Sequence, residues 1–241
     1  AFLSLKGFLG KEKLSQYKTT LDSLPQTSPI LVLEIDSMSG DLGQVLDFAK
    51  TIYELKKLKQ LSVIVYIHDN ALGPSAILPF LADELYCSLY VSWGDIPLST
   101  DNALPPNILR NRVRSLIDPQ KPQAPLLYVL ADAMSDPSLQ VVDDQGWKVI
   151  SGNKEPQAQM ISTAGQTLVV NQNQLQDLGL IQAILSSKEF EQKYQLQEET
   201  GAASAENETV TQASSRTVEK KLQEHIRFNY QGPNIVGHLY V

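Results

Sequence analysis

One serine in this chain stands where hydroxyl chemistry could be built. Ser75 follows Gly73-Pro74 and opens the run Ser75-Ala-Ile-Leu, shortly after an apolar, β-branched stretch from Leu61 to Ile67. That stretch reads as a buried strand, His68–Asn70 as a polar turn, and the residues from Pro74 toward Asp83 as a helix. Proline suits the first helical turn because its missing N–H has no partner there anyway. Strand, tight turn and helix start would aim a serine hydroxyl and free backbone N–H groups at one point, as acyl transfer requires. A serine at a helix start is also a common structural cap, so Ser75 carries both readings.

Other chemistry-bearing side chains read more plainly. Cys87 lies in the apolar run Leu85–Val91 and is expected to be a buried structural thiol; as the single cysteine it forms no disulfide within the chain. Asp143 and Asp144 are adjacent carboxylates in Asp143-Asp-Gln-Gly146, which a turn explains better than a metal. No metal site and no cofactor is expected. Arg110, Arg112 and Arg114 cannot all share one helical face, so they read as solvated rather than as an anion patch. The basic cluster Lys56-Lys57-Leu-Lys59 closes a helix, where cations suit the dipole. With 20 Lys and Arg against 27 Asp and Glu, the net charge of −7 argues against a nucleic-acid surface.

The elements that must hold these residues follow from periodicity. Phe2 to Leu9 reads as a strand broken at Gly7, and Lys11–Leu24 as a helix. Ile30–Ile35 is a nearly unbroken apolar strand suited to a parallel sheet. Asp41 can cap the helix carrying Leu42, Val45, Leu46, Ala49 and Ile52. Leu61–Ile67, the helix to Asp83 and the strand Leu85–Val91 complete a β-α-β-α-β alternation, hence an α/β fold with a mostly parallel sheet and flanking helices. Trp93–Pro106 reads as loop. Asn107–Ile117 and Leu126–Met134 read as helices on either side of the Pro-rich break Asp118–Pro125. Leu139–Val142 and Trp147–Ile150 read as a small β-hairpin. Gln166–Val170, a helix Gln172–Leu178 capped by Asn171, and the short strand Ile181–Leu185 complete the series.

Three stretches, in this order, resemble the ClpP/crotonase-fold serine peptidases, and within them the NfeD-type and signal-peptide peptidase A groups. Leu31–Asp36 with Ser37-Met-Ser-Gly-Asp41 is similar to that family's strand and Pro-Gly-Gly oxyanion turn. Val63–Asp83 is similar to its strand, nucleophile turn and Ala-Asp-ended helix. Gly165–Ile181 is similar to the late strand, helix and Leu-Gly-Leu unit of NfeD-type domains. The resemblance covers residues 1–190 and implies a ClpP/crotonase-like domain. Residues 191–222 are then a polar, partly disordered linker that can include a helix. Residues 223–241 are a tail, read either as the first strand of a second module or as a strand pairing with this domain or a neighbouring subunit.

This chain departs from the family at the residues that matter most. Met38-Ser39-Gly40 stands at the oxyanion turn, so Ser39 and Gly40 would supply what two glycines supply in the family. Counting back from Asp83 puts Gly73 at the nucleophile position; a two-residue shift puts Ser75 there. The family base is a lysine, which works when burial lowers its pKa, and alignment places Leu104 at that position. Lys121, in a Pro-rich break that reads as exposed, is the nearest lysine, and His68 precedes the turn. The resemblance therefore implies a peptidase-like module whose dyad has decayed. It keeps a cleft between the 36–43 and 69–76 turns for a peptide or protein segment, and assembles as a homo-oligomer.

Two other readings stand beside it: an active serine endopeptidase using Ser75 with Lys121 or His68 as base, and a crotonase-type acyl-CoA enzyme. By the same resemblance the protein is expected to be membrane-associated or periplasmic in a bacterium. No signal peptide and no apolar run of spanning length is visible. The chain opens on Ala1-Phe-Leu without an initiating Met, so it is expected to be part of a longer protein.

Overall fold

Ile30–Ser37 (β2) and Ser62–Leu72 (β3) pair in parallel and make the centre of the main sheet. In this computed structural model, residues 1–26, 29–97, 104–151 and 159–196 are described. Phe2–Lys6 (β1) lies outside β2, and Glu84–Cys87 (β4) lies on the far side of β3. Ala183–Ile184 (β10 in chain order) flanks β4, so the sheet runs β1-β2-β3-β4-β10, parallel throughout. The crossovers are α1 (Lys11–Asp22), α2 (Leu42–Lys59) and a 3₁₀ helix, Gly73–Leu81.

Each new strand is laid on the same side of the last. Right-handed crossovers then place every connecting helix on one face of the sheet. That face carries the alternate residues Leu3, Leu5, Leu31, Leu33, Ile35, Val63, Val65 and Ile67, which join Leu14, Leu21, Val45, Phe48 and Ile52 in one core. The opposite face is covered differently. Ser187–Tyr194 (α6) lays Phe190 on it, within a second, smaller cluster with Val32, Ile64, Tyr66 and Tyr86. Phe190 stacks on Tyr66 at 4.5 Å with 14° between the rings.

α2 begins as expected, with the Asp41 carboxylate accepting the Gln44 N–H at 2.9 Å. The segment after Ile67 differs from the sequence reading. His68–Asn70 is strand, not turn, because β3 runs on to Leu72 and pairs Asn70–Leu72 with Ser92–Gly94 (β5). Partner strands override the weak strand preference of Asp and Asn. The same pairing takes Trp93 and Gly94 out of the expected loop, and the expected strand Leu85–Val91 stops at Cys87. The helix toward Asp83 is 3₁₀ and all nine residues are buried. Pro79, inside it, has no N–H for an α-helical ladder.

The expected hairpin is present as Leu139–Asp143 (β6) and Trp147–Ser151 (β7), and Gln159–Ser162 (β8) adds a third antiparallel strand. Asp143 accepts the Gly146 N–H at 3.0 Å, as a turn residue should. Pro106–Arg114 (α3) packs on Ala124–Ser135 (α4). Contrary to the sequence reading, the arginines of α3 are not all solvated. Arg110 faces Asp136 at 3.5 Å and Arg114 faces Asp132 at 3.7 Å, because α4 brings its acids up against two of the three. Val169–Val170 (β9) pairs antiparallel with β5, and Gln172–Asp177 (α5) comes next with a capping box at Asn171. A Cβ on Gly94 would sit 2.1 Å from the Leu168 carbonyl, so only glycine allows β5 and β9 to meet there.

These elements form one unit, Ala1–Leu196, which includes α6. Of the linker expected at 191–222, residues 191–196 are described within this unit, 191–194 of them in α6; the rest of it and the tail expected at 223–241 lie outside the described residues. No helix among the described residues is long and apolar enough to cross a membrane. Since Phe190 is the one fully buried side chain of α6, Phe190→Ala should cost about 3–5 kcal/mol if α6 unfolds with the sheet. Denaturant melts together with hydrogen exchange check this. Exchange in α6 and in β2 and β3 should then rise together.

Candidate functional site

The 37–41 turn and the start of the 3₁₀ helix do come together. Ser75 Oγ lies 2.8 Å from the Ser37 carbonyl and 2.8 Å from the Leu72 carbonyl. Its one hydroxyl proton serves these two acceptors, and the residue is 0% exposed. Gly73 makes the corner that allows this. Its φ of +62° is left-handed, which lets β3 turn directly into the 3₁₀ helix. A serine at position 73 would have to hold that same conformation.

The 37–41 turn is itself tied down from the other side. Leu9 N–H donates to the Ser39 carbonyl at 3.1 Å, and Asp41 N–H donates to the Leu9 carbonyl at 3.0 Å. Ser37 Oγ donates to the Ser39 carbonyl at 3.0 Å. A Cβ on Gly40 would come within 3.0 Å of Leu9, so the small residue serves a close backbone approach. Met38 and Phe8 stand on the outside of this stitched corner and are 54% and 62% exposed.

The two candidate bases sit elsewhere. His68 is on the face of the sheet opposite the crossover helices. Its Nδ1 lies 3.2 Å from Glu34 Oε1 and 3.2 Å from Ser187 Oγ. Glu34 is buried and also bonded by Ser4 Oγ at 2.7 Å and Lys6 Nζ at 3.2 Å. Burial alone would raise the Glu34 carboxyl, but Ser4, Lys6 and His68 outweigh it and hold it below its ordinary value.

Lys121 is not exposed as its Pro-rich surroundings imply; its side chain is 17% accessible. It pairs with Asp83 at 3.1 Å and donates to the Ala82 carbonyl. Lys56 joins it, at 2.6 Å from Asp83 and 2.8 Å from the Leu81 carbonyl. The two ammonium groups therefore cap the carbonyl end of the 3₁₀ helix. That end is seven residues from Ser75, or about 14 Å at the 3₁₀ rise. Leu104 packs partly buried against the main core, directly after the undescribed residues 98–103.

Two residues that the sequence reading passed over hold this region. Trp93 is fully buried and its indole N–H donates to the Ala76 carbonyl at 2.8 Å, clamping β5 onto the helix that carries Ser75. Asp95 has a left-handed φ of +48° and its carboxylate takes the Thr167 hydroxyl. An aromatic next to a lone Gly-Asp pair was the available signal for both. Cys87 is fully buried as expected, and burial pushes its thiol up to about 11. Among the described residues no group of three or more His, Cys, Asp or Glu could hold a metal ion.

No protein-family model and no curated protein matches the chain. Among solved structures it is similar to the membrane-bound stomatin-specific protease 1510-N, a lysine-to-alanine mutant in complex with a substrate peptide (13% identity, 80% of this chain and 78% of that one, TM-score 0.48). It is also similar to ClpP1 from Listeria monocytogenes (13% identity, 78% and 93% covered, TM-score 0.45). A peptidase from Plasmodium falciparum is a third (13% identity, 77% and 95% covered, TM-score 0.42). The likeness is one of overall arrangement and assigns no residue a role.

Two measurements test the described geometry. Gly73→Ala should cost about 1–2 kcal/mol, the penalty of a side chain in the left-handed region, read as a shift of the denaturation midpoint. Asp83 gives a pH signature. Burial alone would raise its carboxyl, but Lys56 and the Val63 N–H hold it below its ordinary value. A carboxylate depressed by folding adds stability above its unfolded pKa and loses it as pH falls through the folded one. Asp83→Asn should therefore be less stable than the parent at neutral pH, the difference closing as pH falls below about 4.

Proposed function

We propose that this chain is a non-catalytic module of the ClpP/crotonase-like kind that binds a peptide or protein segment and assembles with copies of itself. The observation that carries the absence of catalysis is the state of Ser75. Its hydroxyl is fully buried and engaged with two backbone carbonyls. Carbonyl acceptors cannot take the proton away, so they do not activate a nucleophile. The groups that could are committed elsewhere: His68 to Glu34 and Ser187, Lys121 to Asp83 and Ala82.

What remains supports recognition. The turn at 37–41 and the start of the 3₁₀ helix stay joined through Ser75, and the exposed Phe8 and Met38 stand at the turn as apolar contact points. A segment laid across this corner would find backbone groups and apolar side chains side by side, as strand-like peptide recognition requires. Association with membranes and attachment to a second module belong to the same proposal and rest on the sequence resemblance alone.

A fluorophosphonate probe applied to the purified chain, with labelling mapped by mass spectrometry, is the direct test. No adduct at Ser75 is expected, even after long incubation. Labelling that is lost in Ser75→Ala would overturn the proposal in favour of an active serine hydrolase. Saturable acyl-CoA binding would instead favour the crotonase-type reading.

A further inference from the structure

The sheet forks at β3, and the fork holds a cleft. Ile64–Ile67 of β3 pair with β4, whereas Asn70–Leu72 pair with β5. His68 and Asp69 fall between the two partners. On the β2 side the register also slips here, with Ile35 opposite Ile67 but Ser37 opposite Ala71, so β3 carries two extra residues. This bulge leaves residues 68–70 of β3 without partners in β2, and bulges occur where a strand re-aims a side chain.

Into this fork opens a cleft of about 540 Å³ lined by Asp69, Asn70, Tyr90, Val91, Ser92 and Gln172. The volume falls within the range of small-ligand sites, roughly 300–1,000 Å³. The cleft takes Asp69 and Asn70 from the start of the 69–76 segment but none of Ser37–Asp41, Gly73 or Ser75. Its chemistry is specific. Tyr90 is 75% exposed and has no ring partner among the described residues, so it presents a bare aromatic face. Planar amide and carboxylate groups and one hydroxyl line the same cleft. The Asn70 amide and the Ser92 hydroxyl have no hydrogen-bond partner among the described residues. Gln172 accepts the Val91 N–H at 3.4 Å through Oε1, which leaves its NH₂ group free to donate. No lysine or arginine is among the residues that line the cleft.

We infer that this cleft is a binding site for a neutral sugar ring. A pyranose offers an apolar C–H face and a rim of hydroxyls that both donate and accept. An exposed tyrosine face meets the first, and Asp, Asn, Gln and Ser meet the second, because carboxylate and amide oxygens accept while amide N–H groups donate. An anionic ligand is disfavoured by Asp69 and by the lack of cations. An organic ammonium would call for a cage of several aromatic faces or several carboxylates. Here there is one of each, and His68 Nε2 already stands 4.0 Å from the Asp69 carboxylate.

Saturation-transfer NMR on the full chain with maltose, cellobiose and N,N′-diacetylchitobiose at millimolar concentration tests the site. At least one disaccharide should receive magnetisation, strongest at ring C–H protons. Tyr90→Ala should weaken its binding about tenfold or more, and Tyr90→Phe should retain it, since stacking uses the ring. Asp69→Asn should weaken it while leaving the melting temperature near that of the parent, because Asp69 is half-exposed. Silence from all three sugars overturns the inference. So does a signal unchanged in Tyr90→Ala, and so does a cleft that takes spermidine in an Asp69-dependent way while ignoring sugars.

Discussion

A parallel sheet extended in one direction can carry its right-handed crossovers on one face only. Much else in this molecule follows from that handedness. The face toward α1, α2 and the 3₁₀ helix is lined by apolar side chains that the strands supply at every second residue. The other face cannot be covered by the connections, so the chain has to come back to it after β10. α6 does this with one buried phenylalanine and a small aromatic stack. Beside the start of α6 that face carries a polar network in which Glu34 is bonded by Ser4, Lys6 and His68, and His68 reaches Ser187 of α6. The candidate base His68 is thus part of a network on the α6 side of the sheet, the wrong side from Ser75.

Much of the arrangement was legible in the sequence because its signals are local. The strand at Ile30, the Asp41 cap, the amphipathic α2, the hairpin around Asp143–Gly146 and the Asn171 cap each depend on residues within a few positions. What was missed depends on distant partners. His68-Asp69-Asn70 carries turn chemistry and becomes strand only because β5 supplies a hydrogen-bonding edge. Lys121 looks exposed in its own neighbourhood and is buried by Asp83, a residue 38 positions earlier. α6 is an instructive miss. Its polar residues hide it, yet Ser186-Ser-Lys-Glu189 is a capping-box pattern, and both reciprocal hydrogen bonds are present.

The candidate site divides the same way. That Ser75 would lie beside the Ser37–Gly40 turn was implied by the family resemblance. That its hydroxyl would be spent on two carbonyls was not, since hydroxyl rotamers depend on what the fold brings within 3 Å. Trp93 matters for a related reason. By reaching from β5 to the Ala76 carbonyl it fixes both the helix that holds Ser75 and the strand that opens the sugar-sized fork. One side chain therefore sets the spacing of two distinct surface features.

The outer edge of β1 has a further consequence. Residues 2, 4 and 6 turn their backbone groups away from β2, which would ordinarily make this strand a template for another chain. Yet the Tyr17 hydroxyl donates to the Ser4 carbonyl and the Lys13 ammonium to the Lys6 carbonyl, both from α1. A helix that packs under its own strand has reached over the rim and taken two of its acceptors. A strand from another chain pairing along β1 would therefore have to displace these two side chains of α1 before it could use those carbonyls.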